Sequence, residues 1–159
     1  MPPRKCQRLD RLELHEAVAL TPTQREAIGR VVDRIDTDNS SVVITNPLQR
    51  DNPIVFVTRQ WEEMCGFTYD QAVGRNARLT QGVHSDPAVM RRIGSALRAN
   101  RSCKVMMLNY RGGLADRPFW NMLSISPVVH GGRLMFYLAN LQDYTYHMAK
   151  LVSLSPAQF

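Results

Sequence analysis

The fold is decided by three apolar segments in the second half of the chain: CKVMMLNY (103–110), PFWNMLSISPV (118–128) and RLMFYLANLQ (133–142). Short connections separate them, RGGLADR and VHGG, and both contain paired glycines of the kind that hairpin loops use. The pattern predicts three consecutive antiparallel strands.

Both faces of these strands are largely apolar. Side chains alternate between the two faces of a strand, so residues two apart share a face. One face receives Met107, Asn109, Asn121, Leu123, Ile125 and Ala139, and the other receives Met106, Leu108, Trp120, Met122, Phe136 and Leu138. Because neither set is suited to water, we expect other parts of the protein to cover both faces.

Two further strands precede the helical middle of the chain. VVIT (42–45) and IVFVT (54–58) flank a turn that contains two prolines. Short helices broken at Gly66 follow, and then a clear helix over 85–100 with Asp86 near its cap. The sequence therefore predicts an α+β domain: one five-stranded antiparallel sheet with short helices on one face.

An amphipathic helix is predicted at residues 22–36. TPTQ (21–24) reads as a capping box, with Thr21 as the cap and Gln24 reaching back. Residues 8–20 also show loosely helical spacing. We expect this N-terminal helical cap, or a second copy of the chain, to cover the outer face of the sheet.

Composition indicates an ordinary globular protein. The chain has 159 residues, 44% hydrophobic and 21% charged, with a formal net charge of +6. Arginines alternate with acidic residues, so a solvated surface explains the charge better than a nucleic-acid site. Cys6, Cys65 and Cys103 are far apart, which predicts neither a metal site nor a redox pair but reduced thiols in a cytoplasmic protein. No apolar run is long enough to cross a membrane.

Four motifs together resemble a known family. GRNARLTQG (74–82) resembles the GRNCRFLQG signature of light-oxygen-voltage (LOV) domains, a flavin-binding branch of the PAS superfamily. DNPIVFV (51–57), LNY (108–110) and PFWN (118–121) continue the match at similar spacing. The resemblance covers residues 41–145 and implies a PAS/LOV fold, with 1–40 as an N-terminal cap and 146–159 as a C-terminal extension.

The resemblance implies a flavin mononucleotide (FMN), with riboflavin or FAD as possible substitutes, bound between the sheet and the helices. Asn109 and Asn121 would bind the pyrimidine edge of the ring, Asn76 and Gln81 the ribityl chain, and Arg78 the phosphate. The ring would be lined by Val43, Thr45, Ile93, Leu97, Leu123 and Ile125. From the residues alone, Asn109 and Asn121 could equally pair with each other or with the backbone, because buried amides need partners.

Four departures from the family pattern affect the expected chemistry. Ala77 stands where the family has its photoreactive cysteine, and a methyl group cannot form a bond to the flavin. Leu79 and Thr80 replace a Phe-Leu pair, and Gly94 replaces an arginine that would contact the phosphate, a role that Arg91 could assume. Leu141 stands where the family has a glutamine that responds to protonation of the flavin at N5. The neighbouring Gln142 would face inward only if the strand shifted by one residue.

The sequence thus predicts a LOV-like sensory flavoprotein and not an enzyme. It would bind oxidised flavin without a covalent bond, fluoresce, form no cysteinyl adduct, and dimerise through the outer sheet face and the N-terminal helices. One alternative is a PAS interaction or dimerisation module without flavin. Another is a flavin-dependent redox sensor, although the chain has no G-x-G-x-x-G after a strand for a nicotinamide cofactor.

Overall fold

A computed structural model describes residue 15 and residues 17–154. In chain order the helices are α1 (Pro22–Arg34), α2 (Arg59–Cys65), α3 (Tyr69–Ala72), α4 (Pro87–Arg98) and α5 (Thr145–Leu154). The strands are β1 (Ser41–Thr45), β2 (Ile54–Val57), β3 (Cys103–Tyr110), β4 (Pro118–His130) and β5 (Arg133–Asp143). Two short 3₁₀ turns cover Ala77–Thr80 and Arg111–Gly113.

The strands form a single antiparallel sheet in the order β2-β1-β5-β4-β3. The two N-terminal strands therefore join the sheet beside the last strand, and β5 is its central member. The β4–β5 hairpin turns at Gly131 and Gly132, whose φ angles of 58° and 74° are left-handed. Such angles are favourable for glycine because it has no Cβ.

Register places the two predicted faces as expected. Met107 pairs with Asn121, Leu123 with Leu141, and Ile125 with Ala139. Helices α2 and α4 bring side chains to this inner face, which also carries the cavity described below. The prediction of one sheet with short helices on one face is confirmed.

Helix α1 packs against β4 and β5. It begins with the predicted capping box, in which Thr21 accepts from the Gln24 N–H and the Gln24 side chain accepts from the Thr21 N–H. Phe136 lies on the face away from the cavity and is fully buried. Because α1 packs against both β4 and β5, we infer that it covers this end of the outer face.

The rest of the outer face is only partly covered. Met106, Leu108, Trp120, Met122 and Leu138 are all half-buried. Helix α5, which contacts β4, was not predicted, since its sequence has only a weak apolar stripe. The apolar outer face is thus covered at one end by α1 and is only half-buried elsewhere.

The predicted helical spacing of residues 8–20 fails where it can be tested. Residues 17–20 are not helical, and residues 8–14 and 16 lie outside the described residues. The reason is the cap itself: Thr21 adopts an extended conformation, with ψ of 159°, as an N-cap residue must. A helix running into Thr21 would be incompatible with that geometry.

Candidate functional site

The inner face of the sheet and the helices enclose a cavity of about 180 Å³. Every predicted site residue except Arg91 lines it: Val43, Thr45, Asn76, Ala77, Arg78, Gln81, Ile93, Leu97, Asn109, Asn121, Leu123, Ile125 and Leu141. The enclosed volume is below the roughly 300–1,000 Å³ of complete small-molecule sites. Arg78 is an exposed residue of the lining.

A polar chain crosses one wall of the cavity. The Asn121 amide donates to Asn109 Oδ1 at 3.1 Å, and the Asn109 amide donates to Thr80 Oγ1 at 3.0 Å. Both asparagines are nearly inaccessible, at 2% and 3% exposed. This series of hydrogen bonds ends at Asn121 Oδ1, which is buried and has no hydrogen-bond partner. A buried unpaired acceptor is unfavourable by roughly 1–3 kcal/mol, so this atom is suited to a ligand that carries an N–H donor.

The mouth of the cavity is organised around Asn76. Its amide donates to the Asp51 carbonyl at 2.6 Å, and its Oδ1 accepts from the Arg78 backbone N–H at 2.9 Å. The Arg78 guanidinium in turn contacts the Asp51 carboxylate with both terminal nitrogens, at 2.8 and 2.5 Å. Hydrogen bonding by Arg78 lowers the pKa of Asp51, and the same contact raises the pKa of Arg78.

No described thiol reaches the cavity. Ala77 begins the 3₁₀ turn and lines the wall where the family cysteine was expected. Cys65 is fully buried in the core, and burial raises its pKa to about 12, which keeps it an unreactive thiol at neutral pH. Cys103 is half-buried near the start of β3, and Cys6 lies outside the described residues.

Leu141, not Gln142, faces the cavity. Leu141 is 6% exposed and lines the cavity beside Leu123, its cross-strand partner. Gln142 is exposed on the other face of the sheet. The sheet contains irregularities at Ile44/Thr45 in β1 and at Val128/Val129 in β4, but the β4–β5 register at Leu141 is unshifted. No one-residue shift turns Gln142 inward.

Arg91 was expected near the phosphate, but the structure does not place it at the cavity. It is exposed on α4, while Ile93 and Leu97 of the same helix line the wall. Two residues correspond to about 200° of rotation around a helix, so Arg91 and Ile93 point to opposite sides. Helix α4 therefore contributes apolar side chains and no cation to the cavity lining.

Several lining residues were missed by sequence reasoning: Asn52, Trp61, Thr80, Met107, Tyr137 and Ala139. Period two had placed Met107 and Ala139 on the correct face, and that signal could have added them. The same period places Tyr137, two residues before Ala139, on that face, whereas Trp61 depends on how α2 packs. The Tyr137 hydroxyl donates to the Leu97 carbonyl at 2.7 Å, which anchors the end of α4 to β5.

Comparisons with known proteins agree with this architecture. A family model described as a PAS domain matches residues 39–145, a span that contains every strand. The chain belongs to the PAS domain family. Within it, the blue-light-activated histidine kinase of Brucella canis is 39% identical over 138 residues, which are 84% of this chain but 28% of the kinase. A kinase of the same name from Brucella anthropi is 39% identical over 114 residues, 23% of its length. This PAS chain thus spans about a quarter of the curated relatives that it matches.

Solved structures of LOV domains share the fold. The light-state Aureochrome1 LOV domain superposes with a TM-score of 0.64 at 30% identity, covering 74% of this chain and 91% of that one. The LOV domain of the Erythrobacter litoralis EL346 blue-light-activated histidine kinase gives 0.63 at 30% identity, covering 67% and 97%. The predicted PAS/LOV fold class is confirmed.

The described residues also bear on metal binding and on membrane insertion. Among residues 15 and 17–154, no group of three His, Cys, Asp or Glu side chains is placed to hold a metal ion. None of the helices described is both long and apolar enough to span a bilayer.

Proposed function

We propose that this PAS chain is a LOV-type sensory module that binds an oxidised flavin non-covalently in the cavity. The relatives named as blue-light-activated support a light-sensing role, and the LOV resemblance implies FMN as the flavin. A planar ring with polar atoms at one edge requires an apolar slot with a few fixed polar groups. Val43, Ile93, Leu97 and Leu123 provide apolar walls here.

The observation that carries the proposal is the unpaired Asn121 Oδ1. A flavin pyrimidine edge presents one ring N–H between two carbonyl oxygens. Asn121 Oδ1 would accept from that N–H and the second amide N–H of Asn121 would donate to one carbonyl, while the Asn109 amide would turn from Thr80 to donate to the other. Burying Asn121 without such a ligand leaves a desolvated acceptor, which natural cores usually avoid.

The absence of a thiol at Ala77 defines the proposed photochemistry of the module. A flavin bound here supplies absorption in the blue and fluorescence. The chain's own residues hold it and shield it from water, but Ala77 offers no nucleophile to it. We therefore propose a fluorescent flavoprotein that forms no cysteinyl adduct.

The decisive experiment is purification followed by an absorption spectrum. We expect a yellow protein whose flavin is released on denaturation, and Asn121→Ala should weaken flavin binding about tenfold or more because two ring contacts are lost. Asn140→Ala is the matched control, since Asn140 is exposed on β5. A colourless protein that also refuses added flavin would instead support an interaction module without a cofactor.

Dimerisation is the second part of the proposal. The half-buried apolar residues of the outer face are suited to a second copy of the chain, beside the area that α1 covers. In this arrangement residues 1–40 act as the N-terminal cap, 41–145 as the flavin-binding domain and 146–159 as the C-terminal extension. Any signal would leave through the outer face and the terminal helices.

A further inference from the structure

Charged residues are unevenly distributed along the chain. Residues 17–86 contain seven arginines and nine carboxylates, whereas residues 87–142 contain eight lysines and arginines and one carboxylate, that of Asp116. The alternation of basic and acidic residues expected from the sequence therefore holds for the first of these segments only. The second segment is strongly basic, and it contains α4, β3, β4 and most of β5.

Five cations of the basic segment lie on α4 and on the chain just after it: Arg91, Arg92, Arg98, Arg101 and Lys104. All five side chains are exposed, and we call this set the α4 basic face. Arg91 and Arg98 are seven residues apart, so they lie on the same side of the helix, separated by two turns and about 10 Å. Ile93 and Leu97 point from another side of α4 into the cavity lining.

The end of α4 brings the last cations of this face back toward the helix. Asn100 has a left-handed φ of 52°, and the Arg101 N–H donates to the Ala96 carbonyl at 2.9 Å, the pattern that commonly closes a helix. Lys104 follows in β3, where it pairs with Ser124 of β4. Because α4 packs against β3, the five cations lie at one corner of the fold.

Within the part of the chain that the structure describes, no carboxylate forms an ion pair with any cation of the α4 basic face. Other helices are different: Arg30 pairs with Glu26 at 2.8 Å on α1, and Arg59 pairs with Glu63 at 3.1 Å on α2. The charges of the α4 basic face therefore repel one another without internal compensation. An anionic partner would relieve that repulsion.

The side chains of this face favour the phosphates of a nucleic acid over those of a membrane. Four of the five cations are arginines, whose guanidinium groups match phosphate with two parallel hydrogen bonds. Their exposed neighbours Ser95, Asn100 and Ser102 are polar groups of the kind that contact a phosphate–sugar backbone. A helix that lies on a membrane also exposes large apolar side chains, and those of the described chain all lie outside residues 87–104.

We propose that the α4 basic face binds the phosphate backbone of a nucleic-acid duplex without reading its base sequence. Such binding is electrostatic, because each cation that meets a phosphate releases condensed counterions from the duplex. The face shares α4 with the cavity but uses other residues of the helix. The inference therefore does not depend on the proposed flavin binding.

The salt dependence of DNA binding tests the inference. The full chain is titrated into a fluorescein-labelled DNA duplex of about 20 base pairs, and anisotropy is measured at salt concentrations from about 50 to 200 mM. We expect a dissociation constant on the order of 10⁻⁵ M at the lowest salt concentration. The logarithm of the association constant should fall with the logarithm of the salt concentration with a slope of about −4, as expected when the five cations meet phosphates. A duplex of unrelated sequence should bind equally well.

A triple variant assigns the binding to this face. Arg92→Gln/Arg101→Gln/Lys104→Gln removes three exposed cations that do not line the cavity. We expect it to weaken DNA binding about tenfold or more at the lowest salt concentration and to reduce the magnitude of the slope by about two to three. Circular dichroism checks that the variant is folded.

The matched control is Arg25→Gln/Arg30→Gln/Arg34→Gln on α1. It changes the net charge by the same amount at three exposed arginines that stand among acidic residues. The slope should stay at its wild-type value in this variant. An equal fall of the slope in both triple variants would mean that only net charge matters, and that result would overturn the assignment to α4.

Three further outcomes would also overturn the inference. The first is a wild-type chain that does not bind the duplex at the lowest salt concentration. The second is an unchanged slope in the α4 variant, which would place the binding elsewhere, for example at the basic residues 4–11 outside the described part of the chain. The third is sedimentation with vesicles of equimolar phosphatidylserine and phosphatidylcholine without DNA binding, which would identify a membrane as the partner. Flavin content is measured separately, so either proposal can fail while the other stands.

Discussion

At the scale of single residues, buried polar atoms say more about the candidate site than apolar ones do. Asn109 and Asn121 stood out in the sequence because amides on central strands need partners, and the structure links them at 3.1 Å with one oxygen left unpaired. The sequence alone left open whether they pair with each other or with a ligand. In the structure the two asparagines pair with each other, and the Asn121 acceptor remains without a partner.

Ala77 gives the sharpest single-residue prediction. Ala77 lines the cavity at the start of a 3₁₀ turn, so a cysteine there would present its sulfur to a bound flavin ring. Proximity supplies most of the advantage of such a reaction. We expect Ala77→Cys to show reversible bleaching under blue light with recovery in the dark, measured by light-minus-dark absorption.

The control for Ala77→Cys is Ala77→Ser, which matches its size without the thiol and should not bleach. Output need not return with bleaching, because Leu141 offers no amide to the flavin. Adding Leu141→Gln should restore a light-dependent change in hydrogen exchange of β5. A flavin-loaded Ala77→Cys protein that fails to bleach would mean that the cavity has diverged beyond the loss of its cysteine.

At the scale of elements, local sequence predicted whether a segment is a helix or a strand better than it predicted where that element lies in the fold. Capping residues located α1 and α4, and period two assigned the strand faces, because both signals are encoded within a few residues. The order β2-β1-β5-β4-β3 depends on contacts between distant segments and was not available from local patterns. For the same reason Trp61 was missed, because α2 and the sheet converge only in the folded chain.

Two capping boxes allow a matched test of how α1 is attached. Gln24 and Gln71 both occupy the third helical position and bond back to a threonine. Gln24 also donates to Asn46 Oδ1 at 2.8 Å and to the Met135 carbonyl at 3.0 Å, whereas Gln71 is exposed. We expect Gln24→Ala to lower the free energy of unfolding by about 2–3 kcal/mol and Gln71→Ala by about 1 kcal/mol. Denaturant unfolding measures both, and equal losses would show that Gln24 acts only as a cap.

At the scale of the whole molecule, the sheet separates two surfaces with different roles. The inner face holds the cavity and its hydrogen-bonded asparagines, while the outer face carries α1 and an apolar area that is half-buried. Val43 and Thr45 line the cavity, and Asn46, the next residue, bonds Gln24 of α1. A change at this wall of the cavity is therefore only one residue away from the residue that bonds α1.

Removing residues 1–38 tests the role of α1 as a cover for the sheet. The deletion eliminates Ile28 and Val32, which are buried at 1% and 3% exposed, and uncovers the end of the outer face around Phe136. It would enlarge an apolar surface that already includes Trp120 and Met122, and large exposed apolar patches drive association. We expect the truncated chain to aggregate or change its oligomeric state, as measured by sedimentation velocity and thermal unfolding.

The variant Val83→Ser, which alters an exposed residue outside the sheet, should change neither. A truncated protein with unchanged mass and stability would show that α1 is not needed to cover the sheet, and the dimer surface would then have to be sought elsewhere.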